Sequence, residues 1–84
     1  MIYTYVIKSV EKNFRYVGIT NDMERRLKEH NFGKNKSTAF YKPFNIVLKE
    51  SYIDHKEARV REKFLKSGQG RKFLDKLVTE TKLN

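Results

Sequence analysis

The segment from Tyr16 to His30, YVGITNDMERRLKEH, constrains the fold of this chain more than any other stretch. It begins with β-branched and aromatic residues that lead into Gly18, a composition typical of a β-strand. The polar residues 20–22 follow, and such side chains begin helices because they accept hydrogen bonds from free backbone amides. The remaining residues have helical periodicity, with a predicted buried stripe of Met23, Leu27 and His30. The segment therefore predicts a strand, a short turn and an amphipathic helix.

Two adjacent arginines of this helix occupy different positions on the helical wheel. Arg26 lies beside the apolar stripe, whereas Arg25 points away from it. We therefore expect Arg26 to be held against the sheet near Tyr16, and Arg25 to be exposed to water.

The rest of the sequence predicts an α+β fold, in which a small three-stranded antiparallel sheet is flanked by about three helices. Period-two alternation indicates the strands, and capping residues followed by helical periodicity indicate the helices. A lysine-rich loop over residues 31–43 joins the first helix to the third strand. Besides the first helix, the predicted elements are strands over 2–8, 14–19 and 44–53 and helices over 54–66 and 71–78.

The register of the first two strands decides which side chains face each other. The expected hairpin sets Tyr5 opposite Tyr16 and Tyr3 opposite Gly18, with all three tyrosines on one face. It leaves a gap beside Tyr3, because glycine has no side chain. In the third strand, alternation is expected to place the apolar residues on one face, namely Phe44, Ile46 and Leu48.

The net charge of +9 is large for a chain of 84 residues, and it is concentrated in two stretches. Residues 25–42 carry six lysines and arginines against one acidic residue, and residues 59–76 carry seven against two. Such self-repulsion destabilises a compact chain, and binding to a polyanion is the usual reason for it. Composition alone leaves the alternative of a solvated basic surface open. The absence of cysteine excludes a disulfide framework and a thiolate metal site.

One acidic residue of the second predicted helix, Glu62, has an ambiguous position. It shares a narrow sector of the helical wheel with Ala58 and Leu65, which places it at the border of the core-facing side. It is also four residues before Lys66, so the two side chains can form an ion pair on the surface. The residues alone leave both interpretations open.

The two first strands resemble the motif that defines the GIY-YIG endonuclease domain. Residues 16–18, Tyr-Val-Gly, match the YIG element, and residues 3–5, Tyr-Thr-Tyr, stand where GIY stands. Two positions depart from the motif, because Tyr3 replaces its glycine and Thr4 replaces its isoleucine. The motif's tyrosine is retained as Tyr5.

Two helices extend the resemblance over roughly residues 2–78. The run DMERRLKEHN is similar to the family helix that carries an active-site arginine, here Arg26. The run EARVREKFLKSG is similar to the later helix that supplies a metal-binding glutamate, here Glu62. Many larger relatives have a supporting asparagine near the end of the domain, and the only asparagine after Glu62 is Asn84. The chain is most similar to the small stand-alone members.

The resemblance implies that residues 1–84 form a single GIY-YIG-like nuclease domain, a metal-dependent endonuclease that hydrolyses DNA. We expect it to select branched or nicked structures, because so small a domain has little surface for reading sequence. In this family, Glu62 would hold one Mg²⁺, with Mn²⁺ as a substitute, and Arg26 would stabilise the phosphate. A tyrosine base is implied, and we expect Tyr5 as the base and Tyr16 as the residue that orients the water. His30 is a further catalytic candidate because relatives use a histidine near this position, although a packing role is the alternative. Gly18 is expected to have a structural role.

Several polar residues of the loop and the third helix are expected to contact nucleic acid, because cations with interleaved aromatic residues suit phosphates and bases. They are Lys28, Lys34, Lys36, Thr38, Lys42, Arg71 and Lys72. Two other functions stay open, a nuclease-derived module that binds nucleic acid with weak or no catalysis, and a small basic ribosome-associated protein. No stretch approaches the ~20 apolar residues of a membrane span. We therefore expect a soluble cytoplasmic protein, a monomer or weak homodimer, with DNA as its partner.

Overall fold

A three-stranded antiparallel sheet forms the centre of the structure, a computed structural model that describes the backbone of residues 1–83 and the side chains of residues 1–77. Its strands are β1 (Ile2–Ser9), β2 (Arg15–Thr20) and β3 (Phe44–Tyr52), in the order β2-β1-β3. The helices of the described chain are α1 (Met23–Asn31), α2 (His55–Lys66) and α3 (Gly68–Leu83), with a short 3₁₀ helix at Ala39–Tyr41. The predicted α+β class is confirmed. Among these helices, none combines the length and the apolar character needed to cross a membrane.

Both faces of the sheet are covered, and each carries its own apolar cluster. On the α1 face, the buried cluster consists of Tyr5, Ile7, Met23 and Phe44. On the face of α2 and α3, it consists of Val6, Val17, Leu65 and Leu74. The central strand β1 contributes to both clusters, which is why its apolar residues occur without strict alternation.

The register of the β1–β2 hairpin differs from the prediction by two residues. Tyr5 pairs with Gly18 and Ile7 pairs with Tyr16, whereas the prediction set Tyr5 opposite Tyr16. The connection is longer than expected, since the amide of Ser9 donates to the carbonyl of Phe14 at 2.9 Å and β2 starts one residue later. A shift of two residues keeps each side chain on its face, so the tyrosines share one face as predicted.

A β-bulge changes the faces of the third strand. Val6 pairs with Leu48, but the next residue, Ile7, pairs with Ile46, so one residue of β3 is left without a partner. As a result, Phe44 packs in the cluster on the α1 face, whereas Leu48 packs in the cluster on the other face. The prediction that the apolar residues of this strand share one face is therefore wrong.

The third helix begins at Gly68, three residues before its predicted start. Ser67 follows α2, and its hydroxyl accepts a hydrogen bond from the amide of Gly70 at 3.2 Å, as an N-cap side chain does. Gly68 therefore lies just after the end of α2, as expected, but it is also the first residue of α3. The predicted apolar side chain of Val78 and residue Asn84 lie outside the described part of the chain.

We expect Gly70→Ala to destabilise the fold, whereas Gly68→Ala, in the same turn, serves as its control. A methyl group at position 70 would collide with the backbone of Phe64 and Leu65, which cannot move without separating α2 from α3. At position 68, the methyl group would meet nothing within 4 Å. Urea unfolding should show a loss of about 3 kcal/mol for Gly70→Ala and a change below about 1 kcal/mol for Gly68→Ala. Equal stabilities of the two variants would contradict this packing.

Candidate active site

Tyr5 is the centre of a buried hydrogen-bond network on the α1 face of the sheet. Its side chain is fully buried, and its hydroxyl lies 2.9 Å from Nε2 of His30. Nε of Arg26 donates to the same hydroxyl over 3.3 Å. Arg26 and His30 are four residues apart, so one face of α1 presents both side chains to β1.

Gly18 makes room for this network. A Cβ atom at position 18 would lie 2.7 Å from the hydroxyl of Tyr5 and 2.9 Å from the ring of Tyr16, closer than real side-chain contacts. The prediction of a gap beside Tyr3 is therefore wrong. Gly18 pairs with Tyr5 and not with Tyr3, and the ring of Tyr5 fills the space over the glycine. The structural role expected of Gly18 rests on this close approach.

The capping residue and the periodicity of α1 correctly predicted that one of its two arginines faces water and the other faces the sheet. Asp22 caps the helix by accepting a hydrogen bond from the amide of Arg25 at 3.0 Å. The side chain of Arg25 is 57% exposed, and that of Arg26 is 28% exposed. Arg26 is held against the sheet near Tyr16, as expected, through a hydrogen bond to the neighbouring Tyr5. It also forms an ion pair with Glu29 at 3.0 Å.

Thr38 fixes the proton position on His30. Its hydroxyl oxygen lies 2.9 Å from Nδ1 of His30, and the same hydroxyl donates to the carbonyl of Asn35 over 3.3 Å. Because a hydroxyl has one proton, this oxygen accepts from His30, which places the ring proton on Nδ1. Nε2 then carries a lone pair directed at the hydroxyl of Tyr5.

The expected contact of Thr38 with nucleic acid is wrong, because its side chain is fully buried. The hydroxyl is instead part of the histidine's hydrogen-bond network. Sequence reasoning missed this role, since the loop that carries Thr38 has no periodicity to indicate which of its residues faces inward. His30 packs in the core, as one of the two interpretations expected, and it hydrogen-bonds to Tyr5. Its catalytic role stays a prediction.

Burial shifts the pKa values of Tyr5 and His30 in the directions that keep both side chains neutral. Desolvation raises the pKa of Tyr5 above its ordinary value, and the neighbouring Arg26 partly offsets this by favouring the phenolate. Desolvation lowers the pKa of His30 below 6.5, and the positive charge of Arg26 lowers it further. At neutral pH, Tyr5 therefore retains its proton, while Nε2 of His30 is free to accept one.

The buried His30 makes folding stability depend on pH. In the unfolded chain, His30 takes up a proton near pH 6.5, whereas the folded chain resists protonation until a lower pH. The free energy of unfolding should therefore be highest above pH 6.5 and fall as the pH decreases toward the lower pKa of the folded state. Urea unfolding between about pH 5.5 and 7.5 would measure this slope. His30→Gln should reduce the slope, whereas the control His55→Gln, at an exposed position, should not. Equal slopes in the wild type and both variants would refute the assignment of this pH dependence to His30.

Tyr16 lies beside the network without being part of it. Its ring centroid is 6.2 Å from that of Tyr5 and 5.0 Å from that of His30. Its side chain is half-buried, and within the described side chains its hydroxyl has no hydrogen-bond partner. The phenol of Tyr16 is thus available to a bound water or phosphate.

Glu62 belongs to a helix on the other side of the sheet from α1. It lies on α2, which packs against the opposite face of the sheet, and its carboxylate accepts a hydrogen bond from Lys66 at 3.0 Å. The ion pair allowed by the sequence is therefore formed, but Glu62 itself is only 17% exposed. Among the described side chains, Glu62 makes no hydrogen bond to Tyr5, Tyr16 or Arg26.

The carboxylate of Glu62 fits a cation that needs few protein ligands. The described residues contain no group of three or more histidine, cysteine, aspartate or glutamate side chains that could hold a metal ion. Mg²⁺ commonly takes one or two carboxylates and keeps several waters. A shielded carboxylate that already holds the ammonium group of Lys66 nearby is compatible with such an ion. Glu62 is thus the candidate ligand among the residues of the site.

The remaining residues expected to bind nucleic acid are all at the surface. Their side chains can therefore reach a phosphate backbone, unlike that of Thr38. The exposed set consists of Lys28, Lys34, Lys36, Lys42, Arg71 and Lys72.

Comparisons with known proteins identify the family of this chain. The family model described as the GIY-YIG catalytic domain matches residues 1–74. The UPF0213 protein YazA of Bacillus subtilis is 36% identical over 63 residues, which cover 74% of this chain and 63% of YazA, less than two thirds of its length. A UPF0213 protein of Staphylococcus saprophyticus is 33% identical over 79 residues, covering 93% of this chain and 94% of that protein. No solved structure shows a significant match. The chain therefore belongs to the GIY-YIG family of nuclease domains.

Proposed function

We propose that residues 1–84 act as a metal-dependent endonuclease that hydrolyses phosphodiester bonds in DNA. The observation that carries the proposal is the buried network in which Tyr5 contacts His30 at 2.9 Å and Arg26 at 3.3 Å. Burying Tyr5 and His30 beside the partly buried Arg26 is costly unless their polar groups are mutually satisfied, and such a network rigidifies the groups that it joins. In a member of this family, such a network supports a catalytic role for Tyr5.

Tyr5 is the proposed general base, and His30 is the group that makes this possible. An unassisted phenol is a poor base at neutral pH because its pKa is near ~10. Because Tyr5 is fully buried, a neighbouring side chain has to move aside before water reaches its hydroxyl. When that water attacks phosphorus, its proton passes to the oxygen of Tyr5 while the phenolic proton moves to Nε2 of His30. This route forms no free phenolate in the buried site. It places a proton on His30, whose pKa burial and Arg26 lower, so His30 releases that proton to solvent after cleavage. The bond from phosphorus to the 3′ oxygen breaks, and that oxygen takes a proton from solvent.

Arg26 and Tyr16 have supporting roles in this proposal. Arg26 places a fixed positive charge beside Tyr5, and its guanidinium can donate to the phosphate as negative charge develops there. The ion pair with Glu29 holds the guanidinium in place. The free hydroxyl of Tyr16 orients the attacking water. A divalent cation at Glu62 would neutralise the phosphate and stabilise the leaving oxygen when bound.

A cleavage panel tests the proposal directly. The wild-type chain is incubated with duplex, nicked, flapped and four-way DNA in Mg²⁺, in Mn²⁺ and in EDTA. We expect cleavage in either metal and none in EDTA, with the branched or nicked forms cut faster than intact duplex. Equal cleavage with and without EDTA would contradict metal dependence, and no cleavage of any form would remove the nuclease assignment.

A second function, binding of nucleic acid without cleavage, is favoured by the ion pair between Glu62 and Lys66. A carboxylate that is neutralised by Lys66 at 3.0 Å is less available to a metal ion. This function predicts tight binding of DNA that weakens steeply with salt and no turnover in any metal. The same panel, run beside a binding assay, separates the two functions.

A further inference from the structure

A groove of about 680 Å³ runs along the edge strand β2, between the hairpin loop and the start of α3. Tyr16 and Lys66 both line it. The groove therefore connects Tyr16, beside the network on one face of the sheet, with the ion-pair partner of Glu62 on the other face. Tyr16 and the lysine that pairs with Glu62 thus border the same space.

Positive charge dominates the lining of this groove. Four basic side chains face it, against one carboxylate, and the basic set consists of Lys8, Arg15, Lys66 and Arg71. The carboxylate is Asp75, whose contact with Arg15 at 2.7 Å ties α3 to β2. The sequence indicated Arg71 alone of these cations as a nucleic-acid contact, because Lys8 and Arg15 lie outside the two strongly basic stretches. A groove with this excess of cations fits a phosphodiester backbone.

The room and the lining of the groove indicate which form of nucleic acid it binds. It has room for a short stretch of one strand, whereas a duplex could enter it only with the backbone of one of its strands. Leu65 and Leu74 close the bottom of the groove but are only 1% exposed, so the half-buried rings of Phe14 and Tyr16 supply the surface that a base can contact. Basic grooves with apolar and aromatic surfaces suit single strands, because bases that are free of pairing can contact them.

We infer that this groove binds one unpaired strand of nucleic acid next to the scissile phosphate. The inference rests on the proposed function and defines its substrate as DNA with a single-stranded flap or arm. Lys8 and Arg71 hold phosphates of the unpaired strand, and Arg15 is positioned for the same purpose by Asp75. An intact duplex lacks the strand that fills the groove, so it binds less tightly.

The test measures binding by fluorescence anisotropy in EDTA, where no metal is present and cleavage does not interfere. The probes are a labelled blunt DNA hairpin and the same hairpin with a single-stranded flap. The groove variant is Lys8→Gln/Arg71→Gln, and the matched control is Lys56→Gln/Lys63→Gln, which removes the same charge from exposed positions of α2 outside the groove. Arg71→Gln alone, at an exposed position, repeats the test without altering β1.

Wild-type chain should bind the flapped hairpin at least about tenfold more tightly than the blunt one. The groove variant should lose most of this preference, and the salt dependence of its flap binding should fall by about 0.7 per lost phosphate contact. The control variant should retain the preference. Equal binding of both probes by the wild type, or equal loss in the groove and control variants, would overturn the inference. Because cleavage is measured separately, a chain that keeps the preference but never cuts DNA would refute the proposed function and leave the groove assignment standing.

Discussion

Glu62→Gln should reduce Mg²⁺-dependent cleavage by at least about 10³-fold, because the amide cannot supply the charged ligand on which the bound cation depends. The substitution keeps the size of the side chain and removes its 3.0 Å ion pair with Lys66, whose side chain is exposed. Binding of DNA in EDTA should persist, since the change removes a negative charge from a basic surface. Cleavage rates on the best DNA of the panel and anisotropy titrations in EDTA provide the two measurements.

The matched control for this change is Glu57→Gln in the first turn of the same helix. Glu57 is exposed and loses the same charge, but it does not pair with Lys66. A third measurement, direct titration with Mn²⁺, should detect weaker binding of the ion by Glu62→Gln than by Glu57→Gln. Full activity of Glu62→Gln, together with unchanged Mn²⁺ binding, would show that the cation is held elsewhere or is not needed.

The parts of the fold that follow local rules were predictable, and those that depend on distant contacts were not. Alternation placed Tyr5 and Tyr16 on one face because side chains of a strand point to opposite sides in turn. Their pairing was wrong, since the geometry of the connecting loop sets the register. The bulge that separates Phe44 from Leu48 has no local signal in the sequence, because it arises from packing on both faces of the sheet.

The candidate site was likewise predictable where local patterns set the face of a residue, and not where a distant contact sets its partner. The helical wheel put Arg26 beside the buried stripe and His30 within it, and the structure brings both to Tyr5. The contact between Thr38 and His30 joins a loop residue to a helix, and no periodic pattern encodes it. The helical wheel put Glu62 at the border of the core-facing side, so the sequence allowed either a surface ion pair or a shielded side chain. The structure shows both, because Glu62 pairs with Lys66 and is only 17% exposed. Sequence patterns thus identify which face a residue occupies, while its partner depends on the tertiary structure.

Tyr5→Phe should lower the rate of cleavage by about 10²–10⁴-fold, the usual contribution of a general base. The ring that packs over Gly18 is retained, so the fold should persist. The loss of the hydroxyl leaves Nε2 of His30 without its partner, which should cost about 1–3 kcal/mol in the free energy of unfolding. Cleavage is therefore measured at a temperature where circular dichroism shows the variant to be folded.

The matched control is Tyr41→Phe, which removes a phenolic hydroxyl from a ring that stacks on Phe14 with centroids 3.8 Å apart. It should cut DNA at the wild-type rate, because Tyr41 is not part of the network around Tyr5. Tyr16→Phe separates the roles of the two candidate tyrosines. Loss of a residue that only orients the water should lower the cleavage rate less than loss of the base that takes the proton. If Tyr16→Phe were inactive while Tyr5→Phe cut DNA normally, Tyr16 would be the base. The hydrogen bonds of Tyr5 to His30 and Arg26 would then serve only to hold α1 against the sheet.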